Sequence, residues 1–170
     1  NCSVPATQLL LPEGSFGELT RCYNLERVGG TAAVLGTAIG AYDKALEHVQ
    51  MRQQFGRDLV EFQAVQLKLA EMKMRVEGSR LLIHRAVTNA EAGLPSVLDS
   101  SVAKCFANEM VREVCGAALQ VMGGYGYAKS YGMEQRMRDA WGWGIAGGTI
   151  DIQKINIASA LVGRRFDQRK

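Results

Sequence analysis

Apolar residues recur along this chain at alternating spacings of three and four, which is the mark of helices with one buried face. The longest such run is Phe62, Val65, Leu69, Met72, Val76, Ser79, Ile83, Ala86 and Ala90, and it predicts one continuous helix. Gly93-Leu94-Pro95 ends that helix, and Ser96 or Asp99 is placed to cap the next. Val102, Phe106, Met110, Val114, Ala117 and Val121 form a further stripe that stops at Gly123-Gly124. Upstream, the stretch from about Gly17 to Met51 is rich in Ala, Leu, Val and Glu and lacks proline, so it predicts one long helix. Its Gly29, Gly30, Gly36 and Gly40 lower the helix propensity but leave room for a neighbouring backbone. The segment from Arg52 to Arg57 breaks the pattern. A shorter helix around Met133 to Trp143, a Gly147-Gly148 turn and a last helix from about Thr149 to Arg165 complete the chain.

No strand-like alternation and no internal repeat is visible. Apolar stripes on three long helices and a broken fourth must bury against one another, so the expected fold is all-α, an antiparallel four-helix bundle over residues 17–170. Residues 1–16 carry Pro5, Pro12 and Gly14 and read as a linker remnant from a preceding domain. The chain opens at Asn1 rather than Met, the reading of a fragment or a processed product.

Composition narrows the function. With 170 residues, 47% of them hydrophobic and 22% charged, the chain can bury a real core and does not read as disordered. The net charge is +3 and the basic residues are scattered apart from Arg164, Arg165, Arg169 and Lys170, which read as a solvated helix end rather than a nucleic-acid footprint. No apolar run is long enough to span a membrane. Cys2, Cys22, Cys105 and Cys115 form no CxxC pair, and Cys105 and Cys115 fall in a helical pattern as buried thiols do. A reducing compartment, a bacterial cytoplasm or a mitochondrial matrix, fits better than secretion.

Bundles can hold metal through Glu-x-x-His pairs, but Ala45 and Leu81 occupy the positions three residues before His48 and His84, so no metal site is expected. Nucleotide-cradling and nucleophile-elbow motifs are also lacking. Taken alone, Gly123-Gly124-Tyr125-Gly126 reads as a helix C-cap and turn. Arg52, beside Gln54 and Phe55 in the break after a long helix, reads either as an exposed loop arginine or as a phosphate clamp with an aromatic partner.

The combination resembles the C-terminal domain of the acyl-CoA dehydrogenase flavoproteins. The resemblance runs without a gap from Glu26 to Gln153. It is carried by Arg27, Arg52-x-Gln54-Phe55-Gly56, Phe62-Gln63, Leu69-Ala70-Glu71-Met72, Ala103-Lys104, Gln120-x-x-Gly123-Gly124-x-Gly126, Arg138-Asp139-Ala140 and Gly148-Thr149. It implies a flavin adenine dinucleotide (FAD) at a dimer interface, in a homodimer or homotetramer. Arg52 would then hold the pyrophosphate of the neighbouring subunit's FAD. Gln54, Phe55, Gln63, Gln120, Gly123 and Gly124 would contact its adenosine half, and Thr149 and Asp151 would lie near the flavin of their own subunit. The implied substrate is an acyl-CoA thioester, and an electron-accepting flavoprotein is the implied partner.

The family's reaction removes a proton from the α carbon of the thioester and passes hydride from the β carbon to flavin. A carboxylate in a dry pocket suits the first step, because desolvation makes it a stronger base, and hydrogen bonds to the thioester oxygen hold the enolate-like charge. Many members place that carboxylate immediately before Gly-Thr, where this chain has Gly147. A subset resembling the isovaleryl-CoA and long-chain enzymes places it directly before an arginine on the first bundle helix, where this chain has Glu26-Arg27. The resemblance therefore implies Glu26 as catalytic base, Arg27 beside the substrate, and a Gly147 that opens the acyl pocket to branched or bulky chains. Without it, Glu26 reads as a first-turn glutamate favoured by the helix dipole. Trp141 and Trp143 could line the acyl pocket or pack the bundle. An acyl-CoA reductase or oxidase, or a non-catalytic homologue serving assembly, stands as the alternative.

Overall fold

The computed structural model describes residues 1–166; Arg169, Lys170 and the end of the expected domain lie outside them. Helix α1 spans Phe16–Met51, α2 Gln63–Thr88 and α3 Val97–Met122. A four-residue α4 (Gly124–Tyr127) leads to α5 (Met133–Trp143) and α6 (Ile150–Val162). Between α1 and α2, β1 (Gln53–Gln54) pairs antiparallel with β2 (Arg57–Asp58), with Gln53 opposite Asp58. The sequence pattern gives no sign of this hairpin, because two residues per strand are too few to show an alternation.

The bundle runs up, down, up, down through α1, α2, α3 and α5. Arg27 on α1 reaches Ser100 near the start of α3, while the far ends of both helices meet around Val121 and Gly123, so α1 and α3 are parallel. α5 opposes both: Lys44 donates to the Tyr131 carbonyl just before it, Arg136 packs on Gly40, and Trp143 packs on Gly30. Helix α6 lies against the outside of α3. The all-α, antiparallel four-helix bundle is thus as expected, with α5 as its fourth member.

The stripe on α2 matches its buried face: Leu69, Met72, Val76, Ser79, Ile83 and Ala86 are all buried. Met72, Met110 and Met133 are fully enclosed, each burial contributing about 1.5–3 kcal/mol. The stripe on α3 is only partly right. Met110 and Val114 are buried, but Phe106 is exposed and lays its ring over Gly78. The buried positions of α3 instead include Ser100, Ala103, Lys104, Ala107, Asn108, Val111, Cys115, Ala118 and Met122. α3 is the central helix, touched by α1, α2, α5 and α6, so small and polar residues on several sides are enclosed.

Local signals place the ends. Ser96 is the cap of α3, its Oγ accepting from the Asp99 N–H at 3.0 Å. The last helix stops three residues short of Arg165, because Gly163 adopts φ +63° and the Arg164 N–H turns back to the Ser159 carbonyl. The α1 glycines do not admit a neighbouring backbone. Gly30 faces Trp143 and Gly40 faces the Arg136 guanidinium, while nothing approaches Gly29 or Gly36.

Candidate functional site

Two clusters of polar side chains stand at opposite ends of the parallel α1–α3 pair. The first is a small, enclosed cavity lined by Glu26, Arg27, Gly30, Lys104, Trp143 and Gly147, with Thr31 and Asn108 behind them. It forms because α5 ends at Trp143 and the chain must reverse into α6. Gly147 (φ +61°) and Gly148 (φ +89°) make that reversal in the left-handed region that L side chains avoid. Thr149 then caps α6, its Oγ1 accepting from the Ile152 N–H at 3.4 Å, and Asp151 sits exposed in the first turn.

Glu26 and Gly147 meet in this cavity. A Cβ built on Gly147 would lie 3.5 Å from one Glu26 carboxylate oxygen and 3.8 Å from the other. Glu26 itself is exposed and makes no ion pair with a described residue. Arg27 is half-buried and turns to α3 rather than to Glu26. Its Nη1 donates to Asn24 Oδ1 at 2.7 Å and to Ser100 Oγ at 3.4 Å. Burial lowers the Arg27 pKa from its ordinary value, against the opposing pull of the Glu26 charge.

The turn is held from beneath by side chains to which the sequence reading gave no role, although Ala103-Lys104 is among the landmarks of the family resemblance. Lys104, 6% exposed, donates its ammonium to the Ala146 carbonyl at 2.5 Å and to the Gly147 carbonyl at 3.0 Å. Its pKa is lowered by burial first and by the Arg27 charge second, with Glu26 opposing. Gln153, fully buried, donates to the Gly148 carbonyl at 3.3 Å and accepts from Ser101 Oγ at 3.0 Å. Besides that landmark, the sequence signal is positional: the polar Ser100, Lys104 and Asn108 share a row at helical spacing with apolar residues beside it. Trp143 joins the core and the cavity wall, whereas Trp141 lies exposed beneath the Arg112 guanidinium at 4.2 Å.

The second cluster is an open groove of about 510 Å³ where α1 and α3 end. Arg52, Gln54, Gly123 and Gly124 line it, as expected, together with His48, Tyr125 and Tyr131, which the sequence reading missed. Arg52 is the residue that ends α1, its guanidinium 5.5 Å from the centre of the Tyr125 ring. Tyr125 in turn meets Tyr131 edge-on at 5.1 Å and His48 at 5.5 Å. Burial first, and the Arg52 charge second, lower the His48 pKa. No atom lies within 4 Å of a Cβ built on Gly123 or Gly124, so both glycines leave the groove floor open. Gly126 serves packing instead, since a Cβ there would stand 2.8 Å from the Leu119 carbonyl oxygen.

Of the residues expected to contact the adenosine half, three lie outside the groove, and Thr149 and Asp151 stand at the other end of the bundle. Phe55 is 92% exposed at the hairpin tip, at φ +53° and edge-on to Phe62. Gln63, the first residue of α2, and Gln120, in the last turn of α3, are both exposed and do not line it. Among the described residues no group of three or more His, Cys, Asp or Glu side chains could hold a metal, and no helix is long and apolar enough to cross a membrane.

A groove floored by glycines and flanked by an arginine thus stands at one end of the α1–α3 pair, and a cavity where glutamate faces a glycine turn stands at the other. The family described as acyl-CoA dehydrogenase, C-terminal domain, matches residues 16–162. The chain belongs to this family. The 3-sulfinopropanoyl-CoA desulfinase of Paraburkholderia xenovorans is 37% identical over 93% of the chain and 40% of its own length. The butyryl-CoA dehydrogenase structure from Megasphaera elsdenii superposes with a TM-score of 0.88 at 36% identity, covering 94% of the chain and 42% of the other. A structure of PigA with FAD and proline gives a TM-score of 0.88 at 28% identity, over 94% of the chain and 42% of PigA. The acyl-CoA dehydrogenase family domain therefore spans about two fifths of the relatives it matches.

Proposed function

We propose that this chain is the bundle domain of a flavin-dependent acyl-CoA dehydrogenase whose Glu26 removes the α proton of a CoA thioester. The observation that carries the reading is the position of the Glu26 carboxylate, 3.5 Å from where a side chain at residue 147 would begin. A carboxylate delivered from α1 thus approaches the place that, by the family resemblance, many relatives fill from the turn, with the Lys104 ammonium 3.2 Å from the same point. The Gly147 and Gly148 N–H groups make no backbone hydrogen bond with described residues, and are the donors this chain offers to charge developing on the thioester oxygen. The exposure of Glu26 calls for a covering surface from outside this chain to dry the site. We therefore expect the chain alone to show no turnover and to bind flavin poorly.

FAD fits the groove: Arg52 supplies a fork for phosphate, and the open floor at Gly123 and Gly124 allows close backbone approach. When bound, the flavin supplies the hydride acceptor. Glu26 and Arg52 are 26 residues apart on α1, a rise of about 39 Å, farther than one dinucleotide reaches. One cofactor cannot touch both clusters of the same chain, which supports Arg52 serving the FAD of a neighbouring copy in a homodimer or homotetramer. In the same reading, an electron-accepting flavoprotein reoxidises the cofactor, in a reducing compartment such as a bacterial cytoplasm or the mitochondrial matrix.

A second reading follows from the similarity to 3-sulfinopropanoyl-CoA desulfinases, four of which are 35–37% identical to this chain. By that name their substrate is a CoA thioester that loses its sulfino group. With water as the other reactant, the C–S bond would be replaced by C–H and the sulfino group would leave as sulfite, with no change in the flavin. Anaerobic flavin bleaching in the full-length protein separates the two. Wild type and Glu26→Gln are compared over straight and branched acyl-CoAs, with sulfite release from 3-sulfinopropanoyl-CoA assayed alongside. Bleaching in wild type that falls about 10²–10⁴-fold in Glu26→Gln supports dehydrogenation by Glu26. Sulfite release without bleaching would replace the dehydrogenase reading with the desulfinase one, and equal bleaching in both proteins would move the base elsewhere.

A further inference from the structure

The contacts made by Lys104 give it a task that the fold alone does not require. An ammonium on the central helix of a bundle is costly to bury, and an apolar residue in its place would pack without that cost. Lys104 nevertheless points at two successive peptide groups of the α5–α6 turn and, among the described residues, has neither Glu26 nor any other acid as an ion-pair partner. In a trans peptide the carbonyl and the following N–H point to opposite sides of one rigid plane. With the Ala146 and Gly147 carbonyls drawn towards α3, the Gly147 and Gly148 N–H groups are turned away from it, out of the bundle. Neither makes a backbone hydrogen bond with described residues. Gly147, which carries one of these donors, is also the residue that the Glu26 carboxylate approaches.

A second effect has the same direction. A cation on the carbonyl end of a peptide group polarises it, so that the N–H end becomes a stronger donor. Lys104 applies that to both peptides from a position where little water screens it. Gln153 repeats the arrangement at the next peptide with a neutral donor, holding the Gly148 carbonyl. The three carbonyls of Ala146, Gly147 and Gly148 are thus all tied inward, two of them to one positive charge.

We propose that Lys104 is a positioning residue that orients and polarises the Gly147 and Gly148 amides to hold negative charge on the oxygen of a bound CoA thioester. The proposal rests on the CoA-thioester reading of this cavity, whichever of the two reactions follows. Fixed donors of this kind discriminate between a charged oxygen and a neutral one, so the loss should appear in binding an enolate and not in binding CoA itself.

The test uses the full-length, flavin-loaded protein and two ligands, with no turnover needed. Acetoacetyl-CoA can bind as its enolate; an S-alkyl-CoA of the same length has a methylene in place of the thioester carbonyl. In Lys104→Met, acetoacetyl-CoA should bind about 10–100-fold more weakly, at or below the cost of losing one oxyanion donor outright. The S-alkyl-CoA should bind as in wild type, with flavin content unchanged. Equal weakening of both ligands, or of neither, would overturn the proposal. If Lys104→Met fails to retain flavin, Lys104→Arg and Lys104→Gln decide. The variant that keeps the charge should hold the enolate more tightly than the neutral one, and equal affinities would sink the idea. A wild-type protein that binds neither ligand removes the CoA-thioester reading itself; one that binds both while Lys104→Met matches it removes only the role of Lys104.

Discussion

The two ends of the α1–α3 pair are built from the same two helices and could hardly be finished more differently. At the end bearing Glu26, side chains from the interior fix the backbone. Lys104 and Gln153 tie down three consecutive carbonyls, and Ser101 secures Gln153 in turn. At the end bearing Arg52, the guanidinium stands 5.5 Å from the centre of a ring and pairs with no acid among the described residues, the glycine floor is open, and the hairpin tip presents Phe55 to solvent. The first end is organised by its own chain; the second leaves the Arg52 and Gln54 side chains without a hydrogen-bond partner beyond the hairpin among the described residues, as the proposed sharing of a cofactor between copies requires. Preorganisation belongs where charge develops in a reaction, and open groups belong where a large ligand is grasped.

The contrast predicts that damage to the closed end costs fold stability, whereas damage to the open end costs ligand. The largest effect is expected from Gln153→Leu, which leaves Ser101 Oγ and the Gly148 carbonyl without their partner. Each such loss costs about 1–3 kcal/mol, so urea unfolding should show a destabilisation of about 2–6 kcal/mol. A change under about 0.5 kcal/mol, the level of an ordinary surface substitution, would mean that the turn is not held from below. Next comes Arg52→Ala. Loss of a charge-assisted contact worth about 1.5–3 kcal/mol should raise the flavin dissociation constant of the full-length protein about 10- to 150-fold, with the melting temperature of the flavin-free protein unchanged. Unaltered flavin retention would remove Arg52 from the cofactor site.

The smallest effect concerns His48. Its folded pKa lies below the ordinary 6.5, because burial and then Arg52 disfavour the charged ring. As pH falls through 6.5 the unfolded chain takes up the proton first, so stability should decline there and level off below the folded pKa. Arg52→Ala should shrink that decline. A decline of the same size in both proteins would leave burial as its only source.

Much of the fold was legible from the sequence where a helix meets the core on one side. α2 does so, and its stripe from Leu69 to Ala86 is the buried face. α3 is wrapped by several helices, so the distinction between apolar and polar positions no longer coincides with buried and exposed. Phe106 faces outward while Lys104 and Asn108 are enclosed. The hairpin at Gln53–Asp58 was invisible because two-residue strands carry no periodicity. The meeting of Glu26 with Gly147 came from family resemblance and not from pattern, since no local signal connects two residues so far apart in the chain. His48, Tyr125 and Tyr131 were overlooked for a related reason. Each is unremarkable within its own helix or turn, and only the packing of α4 and the turn after it against the end of α1 assembles them.

The approach of Glu26 to Gly147 joins the first helix to the turn after the fifth, which bears on the order of synthesis. A nascent chain that has emerged as far as Trp143 already contains all four bundle helices, and little of the apolar core lies beyond that point. Domains begin to fold as they leave the ribosome, from the amino-terminal side. The bundle can therefore close while the Ala146–Gly148 turn is still unmade, and a product truncated there would be helical and compact yet have no wall opposite its glutamate.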